Sequence, residues 1–275
     1  MQTVGIVGPS DSGKTTLVER LAGRLDGRVA TVKHLTHAPD LDTEGKDTAR
    51  HRAAGASTTY GLTDSAGWFA TGRDRGLRET LDGLAADHDY ALVEGFSASR
   101  LPKLVLGGRD HAGETLLEAS EADGMALDDA VAAVEGVDHY ESLASLVARA
   151  KRSPGSDRSG AIATFTGQVR ERDARDDEPT EYLAFEKYEG VAADRLARIA
   201  TELEAREGVF RVLLHHRTGV IEAGEDIVFV VVLAGHRAEA FRTVEDGIDR
   251  LKDEVPIFKK EVTAEETFWV HERRG

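Results

Sequence analysis

Apolar positions along this chain of 275 residues follow two spacings in turn, one of strands and one of helices. In the first half, short β-branched runs at residues 3–7, 28–33, 91–94 and 103–106 read as strands. Between them, residues 14–25 carry Leu17, Leu21 and Leu25 four apart on one face, and residues 47–56 read as a second helix. Such alternation predicts βαβ units around a mostly parallel sheet, an α/β domain. Residues 141–151 place Leu143, Leu146 and Val147 at helical spacing and are expected to close that domain. The polar stretch that follows has Pro154, Gly155 and Gly160 and no periodicity, which reads as a linker. The predicted division is residues 1–152, a linker over 153–160, and a second domain over 161–275.

The second half is patterned differently. Residues 161–169 and 181–188 read as strands around a charged loop, and 194–207 as a helix with Leu196, Ile199 and Leu203 on one side. Strands are expected at 211–216 and 227–234. The latter run has no polar residue, as a strand covered on both faces requires. Phe241, Val244, Ile248, Leu251 and Val255 form the stripe of a helix that Pro256 must end. With a short strand at 268–270, the order β-β-α-β-β-α predicts an α+β domain.

Composition narrows the function. Fifty acidic against 35 basic residues, a formal charge of −15, argue against a nucleic-acid binder, which needs clustered Lys and Arg. The acids are spread along the chain, as in a soluble protein of a high-salt cytoplasm or in an ordinary acidic protein. There is no cysteine, hence no disulfide, thiolate nucleophile or Cys-based metal site. No apolar run approaches the roughly 20 residues that cross a bilayer. The first strand begins at once, leaving no room for a signal peptide, so the expected location is the cytoplasm, away from membranes.

Gly8-Pro-Ser-Asp-Ser-Gly-Lys14-Thr15 fits G-x-x-x-x-G-K-[ST] between a strand and a helix. The glycines let backbone N–H groups turn inward around an anion. Lys14 reaches the β and γ phosphates, and Thr15 ligates Mg²⁺. Tyr90-Ala-Leu-Val-Glu94 is an apolar strand ending in an acid, the layout of a second element holding magnesium or its water shell. The candidate nucleotide-binding residues are Gly8, Ser12, Gly13, Lys14, Thr15, Thr16 and Glu94, with Thr15 and Glu94 acting through the metal.

Together with these motifs, Val32-Lys33-His34, Gly45-Lys46-Asp47, Ala54-Gly55-Ala56 and Val93-Glu94-Gly95-Phe96 resemble the MobB family of molybdopterin-guanine dinucleotide biosynthesis adapters over roughly residues 1–110. The resemblance implies GTP binding, slow or partner-dependent hydrolysis, dimerisation, and work beside the guanylyltransferase that attaches GMP to molybdopterin. His34, His37, Asp40 and Asp42 are either ligand contacts or solvated loop residues.

In the second half, Lys252 falls in the last turns of a helix, Pro256 breaks it, and Lys259 follows in extended chain. Two ammonium groups brought together depress each other's pKa, leaving one able to move protons; the other reading is a basic patch at a helix C-terminus. Arg170 ends a strand, and His236 and Arg237 sit between the apolar strand and the helix of Lys252. Strand ends and helix starts are where Arg forks and backbone N–H groups meet an anion.

Phe165-Thr-Gly-Gln-Val-Arg170, Leu183-Ala-Phe185-Glu186, His216-Arg217-Thr-Gly219, Gly235-His236-Arg237 and Lys252 through Lys260 resemble MoaE, the catalytic subunit of molybdopterin synthase, in order over roughly 160–271. The resemblance implies an α/β hammerhead fold and a homodimer. It implies a small ubiquitin-like carrier whose C-terminal Gly-Gly thiocarboxylate delivers sulfur twice to cyclic pyranopterin monophosphate. Carried over by position, Lys252 matches the essential lysine, Lys259 the second lysine, and Arg170, His236 and Arg237 the anion-binding set. In this reading the last three hold the substrate phosphate, Lys252 assists proton transfer, and Lys259 positions pterin and thiocarboxylate. Lys187 stands where the family commonly has histidine, and Arg273 or Arg274 is a candidate to complete a neighbouring site. Two other readings are open: a P-loop GTPase with a regulatory C-terminal module, and a non-catalytic GTP-binding scaffold.

Overall fold

A computed structural model describes residues 1–37, 46–65, 67–172, 177–187, 190–263 and 267–270. The chain divides into two compact units, Met1–Tyr140 and Glu141–Gly275. The first comprises β1 (Gln2–Val7), α1 (Lys14–Arg24), β2 (Val29–Lys33), α2 (Asp47–Ala53), β3 (Thr58–Leu62), β4 (Trp68–Gly72), α3 (Leu77–Leu84), β5 (Tyr90–Glu94), β6 (Lys103–Leu106), β7 (Thr115–Ala119) and α4 (Leu127–Glu135). The second comprises α5 (Leu143–Lys151), β8 (Ala161–Gln168), β9 (Thr180–Lys187), α6 (Val191–Glu204), β10 (Val209–His216), β11 (Gly219–Glu222), β12 (Asp226–Ala234), α7 (Arg237–Glu254), β13 (Ile257–Thr263) and β14 (Thr267–Val270).

The first unit is the expected α/β layer structure. Its sheet runs β2-β5-β1-β6-β7, every pairing parallel. Successive residues of a strand face opposite sides. Val4 and Ile6 therefore meet Leu17 and Leu21 of α1 and Val134 of α4, while Ala91 and Val93 meet Leu81 of α3. The hairpin β3–β4 lies outside this sheet and was not foreseen. Leu62 and Trp68 are exposed on it, so its apolar residues follow no buried face that periodicity could reveal.

Lys103 opens β6 beside Gly5 of β1 with no solvent exposure, its ammonium donating to Ser99 Oγ at 2.6 Å. A Cβ on Gly5 would lie 2.6 Å from Lys103 Nζ, so only glycine leaves room for this side chain. Burial disfavours the charge and lowers the pKa to about 8 from 10.5. Between those values the unfolded chain holds a proton that the folded chain has lost, so stability rises with pH. The gain across that window is up to about 3 kcal/mol. Urea titrations between pH 8 and 10 are expected to show this rise in the wild type and not in Lys103→Met; parallel profiles would refute it.

The second unit holds two antiparallel sheets, β10-β12-β8 and β11-β9-β13-β14. The apolar run of β12 is covered on both faces, as its sequence requires. Val228, Val230, Val232 and Ala234 pack against Ile199 and Leu203 of α6 and Val244 and Ile248 of α7. Phe229, Val231 and Leu233 pack against Leu146 and Ala150 of α5. This corrects the expected domain division. The helix assigned to the end of the first domain belongs to the second, because the far face of β12 needs a cover and α5 supplies it. Each fully buried large side chain in that layer contributes roughly 1.5–3 kcal/mol, which outweighs any preference for a free connector. The stretch read as a linker is likewise part of the second unit: the Arg158 guanidinium lies 5.0 Å from the centre of the Phe210 ring, and Gly160 N–H donates to Ala234 O.

Candidate functional sites

In the first unit β1 ends at Val7 and the loop from Gly8 leads into α1, as the motif predicts. Gly8 is needed because a Cβ there would stand 2.6 Å from Ser12 Oγ and 2.7 Å from Leu106 O. Gly13 has φ 86°, the left-handed region, and precedes the first helical residue without a side-chain cap. The first backbone N–H groups of α1 thus lack a side-chain acceptor, the arrangement that suits an anion. Ser12 is buried and donates to Pro9 O at 3.0 Å, and Lys14 Nζ donates to the same carbonyl at 2.5 Å. Thr16 is exposed on the first turn.

Glu94 ends β5 between β1 and β2, in register with Ile6 and Lys33. Its carboxylate is mostly buried and accepts from Thr15 Oγ1 at 3.1 and 3.3 Å. Both residues are the metal-bearing pair expected from the sequence, and the fold brings them together. Lys33, for which the sequence suggests no role, joins them, its ammonium 2.9 Å from Glu94 Oε1 and 3.2 Å from Thr15 Oγ1. His34 stacks on Phe96, ring centres 4.6 Å apart, and its backbone N–H donates to Glu94 O. His37 meets Thr36 at 3.5 Å. Asp40 and Asp42 lie outside the described residues, and among those that are described no cluster of three or more metal-ligating side chains occurs.

In the second unit α7 starts directly after β12 and runs back along β12 and β8. Lys252 is exposed in its last turn, which returns to the end of the sheet where Asp226 pairs with Gln168. The chain turns at Pro256 into β13, where Lys259 stands opposite Phe185 of β9. Directly paired residues share a sheet face. Lys259 is therefore on the side where Phe185 packs with Val169, Leu183 and Ile221, and Lys260 is on the other. Arg170 follows Val169, whose N–H is tied to Glu225 O, and is exposed at the same end. His216 joins this end through its ring, 4.9 Å from that of Phe185, with Nδ1 2.6 Å from Arg217 O.

His236 and Arg237 are elsewhere. His236 precedes α7 and Arg237 is its first residue, next to the Ala234–Ala161 end of the sheet. Lys252 lies fifteen helical positions beyond Arg237, roughly 22 Å at 1.5 Å per residue. Along β12 the ends marked by Asp226 and Ala234 are eight residues apart, roughly 26 Å. The expected convergence of Arg170, His236 and Arg237 on one phosphate is therefore not met within one chain. Lys252 and Arg170 lie toward the Asp226 end, Lys259 follows on β13 of the other sheet, and the His–Arg pair occupies the Ala234 end. Arg273 and Arg274 lie outside the described residues.

Two family models match the chain: "Molybdopterin guanine dinucleotide synthesis protein B", MobB, over residues 3–130, and "MoaE protein" over 137–254. A probable molybdopterin synthase of Haloferax volcanii is 53% identical over 273 residues, covering 99% of this chain and all of that one. The molybdopterin synthase catalytic subunit of Escherichia coli is 38% identical over 119 residues, 43% of this chain and 78% of its own. Among solved structures, Bacillus subtilis MobB aligns with 26% identity over 50% of this chain and all of its own, with a TM-score of 0.37.

Proposed function

The chain belongs to the molybdopterin synthase family of molybdenum-cofactor biosynthesis, with a MobB domain ahead of its MoaE domain, and from that premise we propose which residues carry each activity. The second unit converts cyclic pyranopterin monophosphate to molybdopterin, taking sulfur from the thiocarboxylate of a small carrier protein. What supports this reading is that Lys252 and Arg170 lie toward the Asp226–Gln168 end of the unit, with Lys259 following on β13 on the face that Phe185 shares with Val169. Lys252 serves proton transfer as sulfur replaces oxygen on the pterin, and Lys259 positions the carrier's tail and the pterin. Arg170 meets the phosphate with a guanidinium fork. The chain has no cysteine, so the sulfur arrives on a partner.

A substrate of this size does not span roughly 22 Å of helix, so His236 and Arg237 of the same copy do not reach the Lys252 end. The complete site lies between two copies. One supplies the lysines and Arg170, and the second supplies His236 and Arg237. A two-fold homodimer satisfies this at both of its sites, because the same two surfaces meet twice.

The first unit binds GTP with Mg²⁺ and supports formation of the guanine dinucleotide form of the cofactor, working beside a guanylyltransferase. Thr15 and Glu94 present hard oxygen donors of the kind Mg²⁺ takes, and the metal supplies charge neutralisation of the phosphates when bound. Gly8, Gly13, Ser12, Lys14 and Thr16 surround the phosphates. The even spread of acids suits life at high salt, and no helix among the described residues is long and apolar enough to cross a membrane.

Incubating the full chain with thiocarboxylated carrier and cyclic pyranopterin monophosphate is expected to yield molybdopterin, read as its fluorescent oxidised pterin. Absence of product with active carrier would leave the regulatory-module or scaffold reading in its place.

A further inference from the structure

The contacts around Glu94 go beyond the motif. A carboxylate as buried as this one is costly unless a cation and hydrogen bonds compensate it. In the protein alone that cation is Lys33. Its ammonium bridges Glu94 Oε1 at 2.9 Å and Thr15 Oγ1 at 3.2 Å, the two groups assigned above to the metal. The motif lysine does not compete for this place, since Lys14 Nζ is turned onto Pro9 O. The placement of Lys33 is set by the sheet: β2 pairs with β5 so that Lys33 and Glu94 are direct partners at the end of both strands, beside the loop. About half of the Lys33 side chain is exposed, against 11% for Glu94. The lysine can swing out into solvent on its flexible stem, and the carboxylate stays where it is.

We propose that Lys33 is the resident counter-ion of the nucleotide site, holding the position on Thr15 and Glu94 that a divalent cation takes when nucleotide binds. The proposal rests on the nucleotide-binding reading of the first unit. Cation and ammonium exclude one another, because both need the same oxygens and carry like charge. Metal without nucleotide is thereby kept out, since it must displace Lys33 with no compensating phosphate. Metal arriving with nucleotide releases the ammonium beside the phosphates, where its charge is again paired. Lys33 thus couples metal entry to phosphate entry, a positioning role that the phosphate-loop motif does not contain.

The test is direct binding of Mn²⁺ to the full chain, read by the electron paramagnetic resonance of free Mn²⁺, with and without GDP. Lys33→Met is expected to bind Mn²⁺ without nucleotide about tenfold or more tightly than the wild type, the size of effect that close charge pairs show. Lys33→Arg, which keeps the charge and grips a carboxylate at two points, is expected to bind it no more tightly than the wild type. Glu94→Gln is expected to lose the metal in every background. An unchanged Mn²⁺ affinity in Lys33→Met that still binds GDP overturns the proposal while leaving the nucleotide site intact. Should Lys33→Met not fold, tighter Mn²⁺ binding by Lys33→Arg than by the wild type would overturn it equally, and weaker or equal binding supports it. If the wild type and all variants fail to bind GDP, the nucleotide reading itself falls, and the role of Lys33 with it.

Discussion

Replacing Lys252 with alanine is expected to lower the rate of molybdopterin formation by about 100-fold or more, the range contributed by a positioned proton-transfer group. The fold is expected to survive. Lys252 is exposed in the last turn of α7, and the buried stripe of that helix runs through Ala240, Val244, Ile248 and Leu251 without it. What is lost in stability is the attraction of a cation to the helix C-terminus, about 0.3–1 kcal/mol, partly offset by the better helix propensity of alanine. Rate and thermal midpoint measured on the same preparation separate the two effects. Activity near wild type would remove Lys252 from the chemistry. A lost rate with a collapsed midpoint would show that the residue serves the fold.

The second large effect is a recovery. If each site takes Lys252, Lys259 and Arg170 from one copy and His236 and Arg237 from the other, two inactive variants complement each other. Lys252→Ala is inactive alone, and so is the double variant His236→Ala with Arg237→Ala. In a mixed two-fold dimer, one site collects every intact residue and the other collects every substitution. Random pairing after co-expression makes half of the dimers mixed, each with one working site of two, so about one quarter of wild-type activity returns. Were both groups contributed by a single copy, every chain would still carry a broken site, and the mixture would stay as inactive as its parts. The roughly 22 Å of helix between Arg237 and Lys252 makes the first outcome the expected one.

The candidate nucleotide site was legible in the sequence to an unusual degree because most of it is contiguous. Gly8 through Thr16 is a single loop whose geometry follows from glycine, lysine and helix start, and Glu94 announces itself as an acid ending an apolar strand. Lys33 was not legible. It lies 61 positions from Glu94, and only the parallel pairing of β2 with β5 makes them neighbours. The hairpin β3–β4 was missed for a different reason: with Leu62 and Trp68 facing solvent, hydrophobicity there carries no record of a core.

In the second unit the sequence names a set of candidate cations, and the structure separates them into two groups. The separation of Arg237 from Lys252 was already implied by the long helix read from the stripe Phe241 to Val255, since a helix of that length holds its ends apart. The domain boundary was misplaced because an apolar stripe such as Leu143, Leu146 and Val147 states that a helix must be covered without stating by which sheet. The answer lay in β12, whose unbroken apolar run demanded a layer on both faces.

By itself the sequence determined the two fold classes, the glycine-rich loop between β1 and α1, the doubly covered strand and the residue types of both candidate sites. Each of these is a local pattern, set by backbone sterics, by periodicity or by the order of consecutive side chains. The tertiary structure alone decided which helix covers β12, that Lys33 sits on Glu94, and that the cations of the second unit fall into two groups held apart by the length of α7. Those outcomes depend on which distant strands pair and on the length of the elements between them, and no window of consecutive residues records that.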